Sequence, residues 1–331
     1  MDKKFWKNKR VLITGFEGFL GSNLTRALLP SGAGIFGLDI RVRRKDTILT
    51  PADYKKIKVI KGSVTDYKLL EKIIVKNKIN VIFHLAAEAI VGKCHADPLK
   101  AFSTNVKGTW NLLEACRKAG TVQEIVIASS DKAYGAHKEL PYKEDAPLIG
   151  RHPYDVSKSC ADLIACAYAH TFGLPVAVTR CGNIYGPGDF NFSRIVPDAV
   201  RCALTGRQLL VRSDGLFTRD YVFVEDIVNG YITLAEKLRK LGLNGDTFNF
   251  SDEDPKTVIE LAEMIFRAAG EDPNYRVLNR AKYEIKHQYL LSSKARKTLK
   301  WKPRFTIKAG LKRTIAGYKD HLNYKKERGQ S

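Results

Sequence analysis

Short runs of consecutive apolar residues punctuate the first 180 positions: VLIT (11–14), GIFGLD (34–39), IKVI (57–60), NVIFHL (80–85), EIVIAS (124–129) and VAVTR (176–180). Between them lie stretches of helical apolar spacing near 19–30, 67–76, 104–118 and 154–172. Strands that are apolar throughout are buried on both faces, and strand–helix alternation builds a parallel sheet covered on each side. The pattern predicts an α/β fold, a Rossmann-like doubly wound parallel sheet. After residue 182 the regularity breaks at Gly182, Gly186, Pro187 and Gly188. A β-like run at 221–224, helices near 225–238 and 256–269, and a basic terminal helix from about 306 follow. The expected division is a sheet domain of 1–182 with 227–250 and a smaller lobe of 183–226 with 251–331.

Polar residues at the ends of these elements carry the chemistry. TGFEGFLGS follows the first run and opens the first helix. Glycines at 15, 18 and 21 allow a tight turn and let backbone approach a pyrophosphate at a helix N-terminus. Asp39 ends the second run, 18 residues after Gly21, where a carboxylate takes the ribose hydroxyls of an adenosine and repels a 2′-phosphate. NAD is therefore favoured over NADP. Arg41, Arg43 and Arg44 follow closely and suit a 2′-phosphate, which keeps NADP open.

HPYDVSKS places Tyr154 and Lys158 four apart, and Val156, Cys160, Leu163, Ile164 and Ala167 continue the helical spacing. The segment predicts a helix starting near Pro153 with Tyr154 and Lys158 on one face. A phenol titrates near ~10 and is a poor base at neutrality. A nearby ammonium and a cationic nicotinamide would each lower that value. In ASSDKAYG (128–135) the fifth run delivers Ser130, able to hydrogen-bond the same substrate hydroxyl, followed at once by Asp131 and Lys132.

The GxxGxxG spacing, with Ser130, Tyr154 and Lys158, resembles the extended short-chain dehydrogenase/reductase family, the NAD-dependent nucleotide-sugar epimerases and dehydratases. The resemblance extends through HLAAEA (84–89), TNVKGTWNLLEA (104–115), GNIYGPGD (182–189), RDYVFVEDI (219–227) and QYLLSSKA (288–295). It implies an NAD-binding sheet domain and a nucleotide-sugar-binding lobe. It also implies cofactor contacts from Gly15, Phe16, Glu17, Gly18, Phe19, Leu20, Gly21, Asp39, Ile40, Arg41, Ser63, Val64, Leu85, Ala86, Ala87, Asn105, Tyr154 and Lys158. Glu88, Ser130, Asn183 and Arg219 are implied on the substrate side, with Arg194 a second candidate for phosphate or base. Ser63 stands where the family more often has Asp, which loosens the expected adenine contact; Asp66 is retained.

In this family the tyrosine takes the proton of the sugar C4 hydroxyl, and the pair after the serine separates the chemistries. Small uncharged residues accompany epimerisation; an acid and a base accompany 4,6-dehydration. Asp131-Lys132, and the opening FWKNKRVLITG, are similar to the CDP-glucose 4,6-dehydratase-like branch. The resemblance implies a lyase in which Asp131 protonates the departing C6 hydroxyl. Lys132 either removes the C5 proton as a neutral amine or stays charged and stabilises an enolate. GNIYGPGD and RDYVFVEDI look more like UDP- and dTDP-sugar enzymes, so the nucleotide is open. A 4-epimerase or a 5,6-dehydratase on the same scaffold is the alternative, and a non-catalytic NAD-sensing or RNA-binding relative a remoter one. The family commonly dimerises through the helices at 104–118 and 154–172, so a homodimer is expected.

Composition adds limits. Six cysteines include no CxxC and no zinc-like spacing, so they are expected to be free thiols with no metal site. Glycines and Glu17 interrupt the N-terminal apolar stretch, arguing against a signal peptide, and no run is long enough to span a bilayer. A cytoplasmic protein without membrane attachment is expected. The net charge of +21 suggests an anionic partner. The basic residues are scattered, with small clusters at 41–45 and 324–328 and no aromatic-interleaved stripe, so nucleic acid is not expected.

Overall fold

The computed structural model describes residues 1–280 and 285–327. Strands β1 (Arg10–Thr14), β2 (Gly34–Asp39), β3 (Ile57–Lys61), β4 (Val81–His84), β5 (Glu124–Ala128) and β6 (Val176–Cys181) are followed by four short strands. These are β7 (Asn183–Tyr185), β8 (Leu209–Val211), β9 (Thr218–Arg219) and β10 (Tyr221–Phe223). Then β11 (Thr247–Phe250) returns to pair with β6, and β12 (Lys256–Thr257), β13 (Tyr275–Val277) and β14 (His287–Gln288) complete the set. The main sheet has seven parallel strands in the order β11-β6-β5-β4-β1-β2-β3. Strand order reverses between β1 and β4, the crevice where such sheets take their ligands. In the small sheets β7 pairs with β10, β8 with β13, and β9 lies between β12 and β14.

Alternation explains why the apolar runs are continuous. Val11, Ile13, Phe83 and Val126 enter one core, while Leu12, Ile82, Ile125 and Ile127 enter the other, and all are buried. Each such side chain contributes about 1.5–3 kcal/mol on burial, so both faces favour apolar residues. Gly37 belongs to the same logic: a Cβ there would press into the Phe16 ring.

The longer helices are α1 (Phe19–Leu28), α2 (Tyr67–Lys76), α3 (Gly108–Ala119), α4 (Pro153–Phe172), α5 (Ile195–Thr205), α6 (Val224–Lys237), α7 (Val258–Ala269) and α8 (Ile307–Glu327). Pro153 occupies the first turn of α4, where its missing N–H costs nothing. The helix expected over 104–118 differs at its start: Ser103–Lys107 is a wider π turn, and the regular helix begins at Gly108. Helix α8 lies over the loop after β7, with the Tyr318 hydroxyl donating to the Asp189 carbonyl. Of the basic cluster at 324–328, Arg328 lies outside the described residues.

Beneath the end of β5 sits a buried polar node. Arg180 of β6 forks onto Asp162 of α4 at 2.7 and 3.0 Å and donates to the Tyr134 hydroxyl at 2.8 Å. Removing one member of a buried ion pair strands the other, so Arg180→Met is expected to destabilise the chain by about 3–5 kcal/mol. Denaturant melts should show the deficit, and the double change Arg180→Met/Asp162→Leu should recover most of it.

Candidate active site

The loop after β1 turns back under the sheet edge. Gly15 has φ +70, and a Cβ on it would lie 2.9 Å from Ala86; a Cβ on Gly21 would collide with the Gly15 carbonyl. Gly18 caps α1 without a side chain, so the first-turn N–H groups and the helix dipole face the crevice, an arrangement that suits a diphosphate. Leu85, Ala86 and Ala87 follow β4 across this crevice, their backbone tied to β1 by Leu85 and Ala86 N–H bonds to Thr14 Oγ1, both 3.2 Å. Asp39 ends β2 at the same edge, its carboxyl pushed up by burial and partly restrained by the Arg41 N–H. The cradle, with its fixed glycines and terminal carboxylate, fits an adenine dinucleotide.

Several expected cofactor residues act at one remove. The Glu17 carboxylate does not face the crevice: it accepts the Arg43 and Arg44 N–H groups at 2.6 and 2.7 Å, holding the loop after β2, where Arg43 has φ 60. Phe16 and Val64 are core residues, so their side chains serve packing. Asn105 has its own protein partners: Oδ1 accepts Glu88 N–H at 2.8 Å, and its amide donates to Glu88 O and Ser157 Oγ at 3.1 and 2.9 Å. Its polar atoms pin the 85–88 loop to α4. Ser63 bonds Thr65 Oγ1 at 2.8 Å, and Asp66 caps α2 through Leu69 N–H. Phe19 and Leu20 start α1, half-buried, and Ile40 is exposed beside Arg41. Arg44 pairs with Asp46, and Arg43 lies over the Tyr54 ring at 5.3 Å.

The reactive groups converge at the C-terminal ends of β5 and the start of α4. The chain leaves β5 into a 3₁₀ turn, Asp131–Tyr134, capped by Ser130 Oγ, which accepts Lys132 N–H at 3.2 Å. The same hydroxyl donates to Asp131 Oδ1 at 3.0 Å. Lys132 Nζ stands 3.5 Å from Asp131 Oδ1. Tyr154 and Lys158 are both buried on α4, and Lys158 Nζ donates to Ala128 O at 2.8 Å. Burial brings Lys158 down to about 8. Burial pushes Tyr154 up to about 12, and the Ser130 hydroxyl beside it offsets only part of that. Desolvation of the phenolate outweighs the favourable neighbours here.

On the substrate side, Asn183 opens β7, its N–H held by Asp220 O at 2.7 Å. Arg194 precedes α5 and bridges Asp189 at 3.2 Å. The buried Arg219 donates to the Thr218 and Lys286 carbonyls, each at 2.9 Å, and to Ile285 O. Glu88 pairs with Lys100 at 3.1 Å.

Three residues of the site went unmarked in the sequence reading. Asp155 is buried one residue after Tyr154, and its carboxyl feels Lys132. Asp220 is fully buried, pushed up to about 7 by desolvation, accepts from Ser251 and from Leu290 N–H, and has one oxygen without a partner. Gln288, also fully buried, reaches Lys132 and Asp131. The only sequence signal for the last two was their place in RDYVFVEDI and QYLLSSKA. Among the described residues no group of His, Cys, Asp or Glu could hold a metal ion, and no helix is long and apolar enough to cross a membrane.

A dinucleotide cradle at the sheet's switch point beside a Ser–Tyr–Lys set defines the class, an extended short-chain dehydrogenase/reductase. The family model described as GDP-mannose 4,6 dehydratase matches residues 12–314. The chain belongs to that family. It is 31% identical over 340 residues to a CDP-glucose 4,6-dehydratase from Salmonella typhimurium, covering 96% of this chain and 93% of that protein. Among solved structures it resembles dTDP-glucose 4,6-dehydratase from Bacillus anthracis in complex with NAD. The TM-score is 0.84 at 30% identity, over 96% of this chain and 98% of that one. It also resembles the UDP-glucose 4-epimerase of Thermotoga maritima with UDP-glucose, at TM-score 0.86 and 26% identity over 95% and 99% of the two chains.

Proposed function

We propose that this protein is an NAD-dependent NDP-sugar 4,6-dehydratase, converting a hexose nucleotide into its 4-keto-6-deoxy derivative with loss of water. The observation that carries this reading is the Asp131–Lys132 pair, set on one turn with Ser130 and within reach of Tyr154. Gly15, Gly18, Gly21 and Asp39 would hold the dinucleotide, whose nicotinamide would supply the hydride acceptor for C4 and the donor for C6.

The chain's own residues supply the proton chemistry. Tyr154 takes the proton of the C4 hydroxyl, Ser130 orients that hydroxyl, and the Lys158 ammonium favours the phenolate. With a ketone at C4 the C5 proton becomes acidic. Lys132 handles that proton while Asp131 delivers one to the departing C6 hydroxyl. Asp131 is almost fully buried, which keeps bulk water away from the elimination. Asn183, Arg194 and Arg219 are the proposed nucleoside diphosphate contacts, Arg by its forked donors. We assign the cofactor to 1–182 with 227–250 and the sugar nucleotide to 183–226 with 251–331.

A homodimer fits the apolar surface beside α3 and α4, where Leu99 and Leu163 are 80% and 60% exposed and Trp110 and Phe172 are also exposed. The six free cysteines suit a reducing compartment such as the cytoplasm.

Incubation with CDP-, dTDP-, UDP- and GDP-hexoses in D₂O tests the reading by mass spectrometry and NMR. The expected product has lost water and carries deuterium at C5. Unchanged substrate mass with inverted C4 would establish the epimerase instead. An unsaturated sugar without C5 deuterium would establish a 5,6-dehydratase. Tight, salt-sensitive RNA binding with no turnover would favour the non-catalytic alternative.

A further inference from the structure

We propose that Gln288 is a positioning residue for the elimination step, acting through Lys132. The inference rests on the dehydratase reading and deepens it. Gln288 comes from the last short strand, 157 residues beyond Asp131, yet its side chain closes on the catalytic turn from both ends. Its Oε1 accepts Lys132 Nζ at 3.1 Å, and its Nε2 donates to the Asp131 carbonyl at 2.9 Å.

A lysine side chain has four rotatable bonds and costs up to about 2 kcal/mol to immobilise. Asp131 alone holds this one weakly, at 3.5 Å. The amide supplies the closer contact and fixes the position of Nζ.

The clamp is itself rigid. In the ladder with β9, Gln288 stands opposite Arg219, the proposed diphosphate contact. Tyr142 N–H donates to Tyr289 O at 3.0 Å and Leu291 N–H to Tyr142 O at 2.9 Å, while Leu290 N–H donates to Asp220 at 3.3 Å. Ser292 N–H reaches Glu253 at 2.6 Å. A residue so placed, fully buried, with both amide ends spent on the acid–base pair, has its geometry dictated by that pair. The same segment carries the small lobe's strand, so the lobe that receives the nucleotide also sets the lysine that performs elimination.

The test uses Gln288→Met, which keeps length and apolar volume, and Gln288→Glu, which keeps shape but cannot donate to Asp131 O. Both are assayed on whichever CDP- or dTDP-hexose the wild type dehydrates. Expected is a fall of roughly tenfold or more in kcat and in C5 deuterium incorporation. KM should stay within about twofold, as should the single-turnover rate of C4 oxidation, followed by the cofactor's near-ultraviolet absorbance. In a Lys132→Met background the further change Gln288→Met should alter C5 exchange by less than about twofold, because residues acting as one unit are not additive.

Retention of wild-type kcat by both variants overturns the inference. So does a parallel fall of C4 oxidation and elimination in both, or full additivity with Lys132→Met. A wild type that dehydrates no sugar nucleotide in the panel overturns the dehydratase reading and this inference with it. A dehydrating wild type with unaffected variants overturns the inference alone.

Discussion

Tyr154→Phe is expected to lower kcat by roughly 10²- to 10⁴-fold while leaving KM and thermal stability nearly unchanged. In the proposed reaction the phenol oxygen receives the C4 proton, and the two polar groups beside it are held by other partners. Lys158 donates to Ala128 O, and Ser130 is committed as donor to Asp131. The ring packs with Cys94 and Ala101 in a small buried cluster, and phenylalanine preserves those contacts. The loss is therefore chemical. Steady-state kinetics beside a melting curve separates the two: a large drop in Tm, or a rise in KM with kcat retained, would contradict the assignment of Tyr154 as base.

Lys158→Met should abolish most activity and yet make the protein more stable at neutral pH. Burial lowers this ammonium from its ordinary 10.5 to about 8. That gap corresponds to about 3 kcal/mol of cost for carrying the charge in the folded state. Between about 8 and 10.5 the unfolded chain binds more protons than the native one, so stability rises with pH across that window. Below about 8 the cost is fully present; above 10.5 both states are neutral and it vanishes. Methionine removes the charge but leaves Ala128 O without its donor, an opposing loss of about 1–2 kcal/mol. The net gain at pH 7 is about 1–2 kcal/mol; it shrinks as pH rises above about 8 and becomes a net loss of about 1–2 kcal/mol beyond about 10.5. Denaturant melts of both proteins across that range measure it. Equal stability at pH 7, or a gain that grows with pH, would contradict the sign. A stability cost at a catalytic lysine is what an active site is expected to carry.

The strands were legible almost to the residue because a strand covered on both faces is mostly apolar along its length. Gly34–Asp39 stands where GIFGLD predicts it. Helix starts were legible where a local rule applies, as at Pro153, and not at 104, where a π turn intervenes. Polar partners were legible only when near in sequence. Ser130, Asp131 and Lys132 are consecutive, and their mutual contacts follow. Glu17, by contrast, binds backbone 26 and 27 residues away, and Asn105 ties residues 17 and 52 positions from it. A carboxylate or an amide looks the same in a sequence whether it faces a ligand or a neighbouring loop.

The sequence by itself marked the groups to which the proposed chemistry is assigned: the glycine cradle with Asp39, the Ser130–Asp131–Lys132 turn, and the Tyr154–Lys158 helix face. Spacing along regular elements is local, and each of these sets lies within one element or at its end. Only the tertiary structure decided how those groups are poised. It buried Tyr154 and Lys158 deeply enough to move both away from their charged forms, turned Glu17 and Asn105 to structural duty, and brought Gln288 onto Lys132. Desolvation depends on everything packed around a group, and long-range partners depend on where the chain returns, and neither is written in the residues adjacent to it.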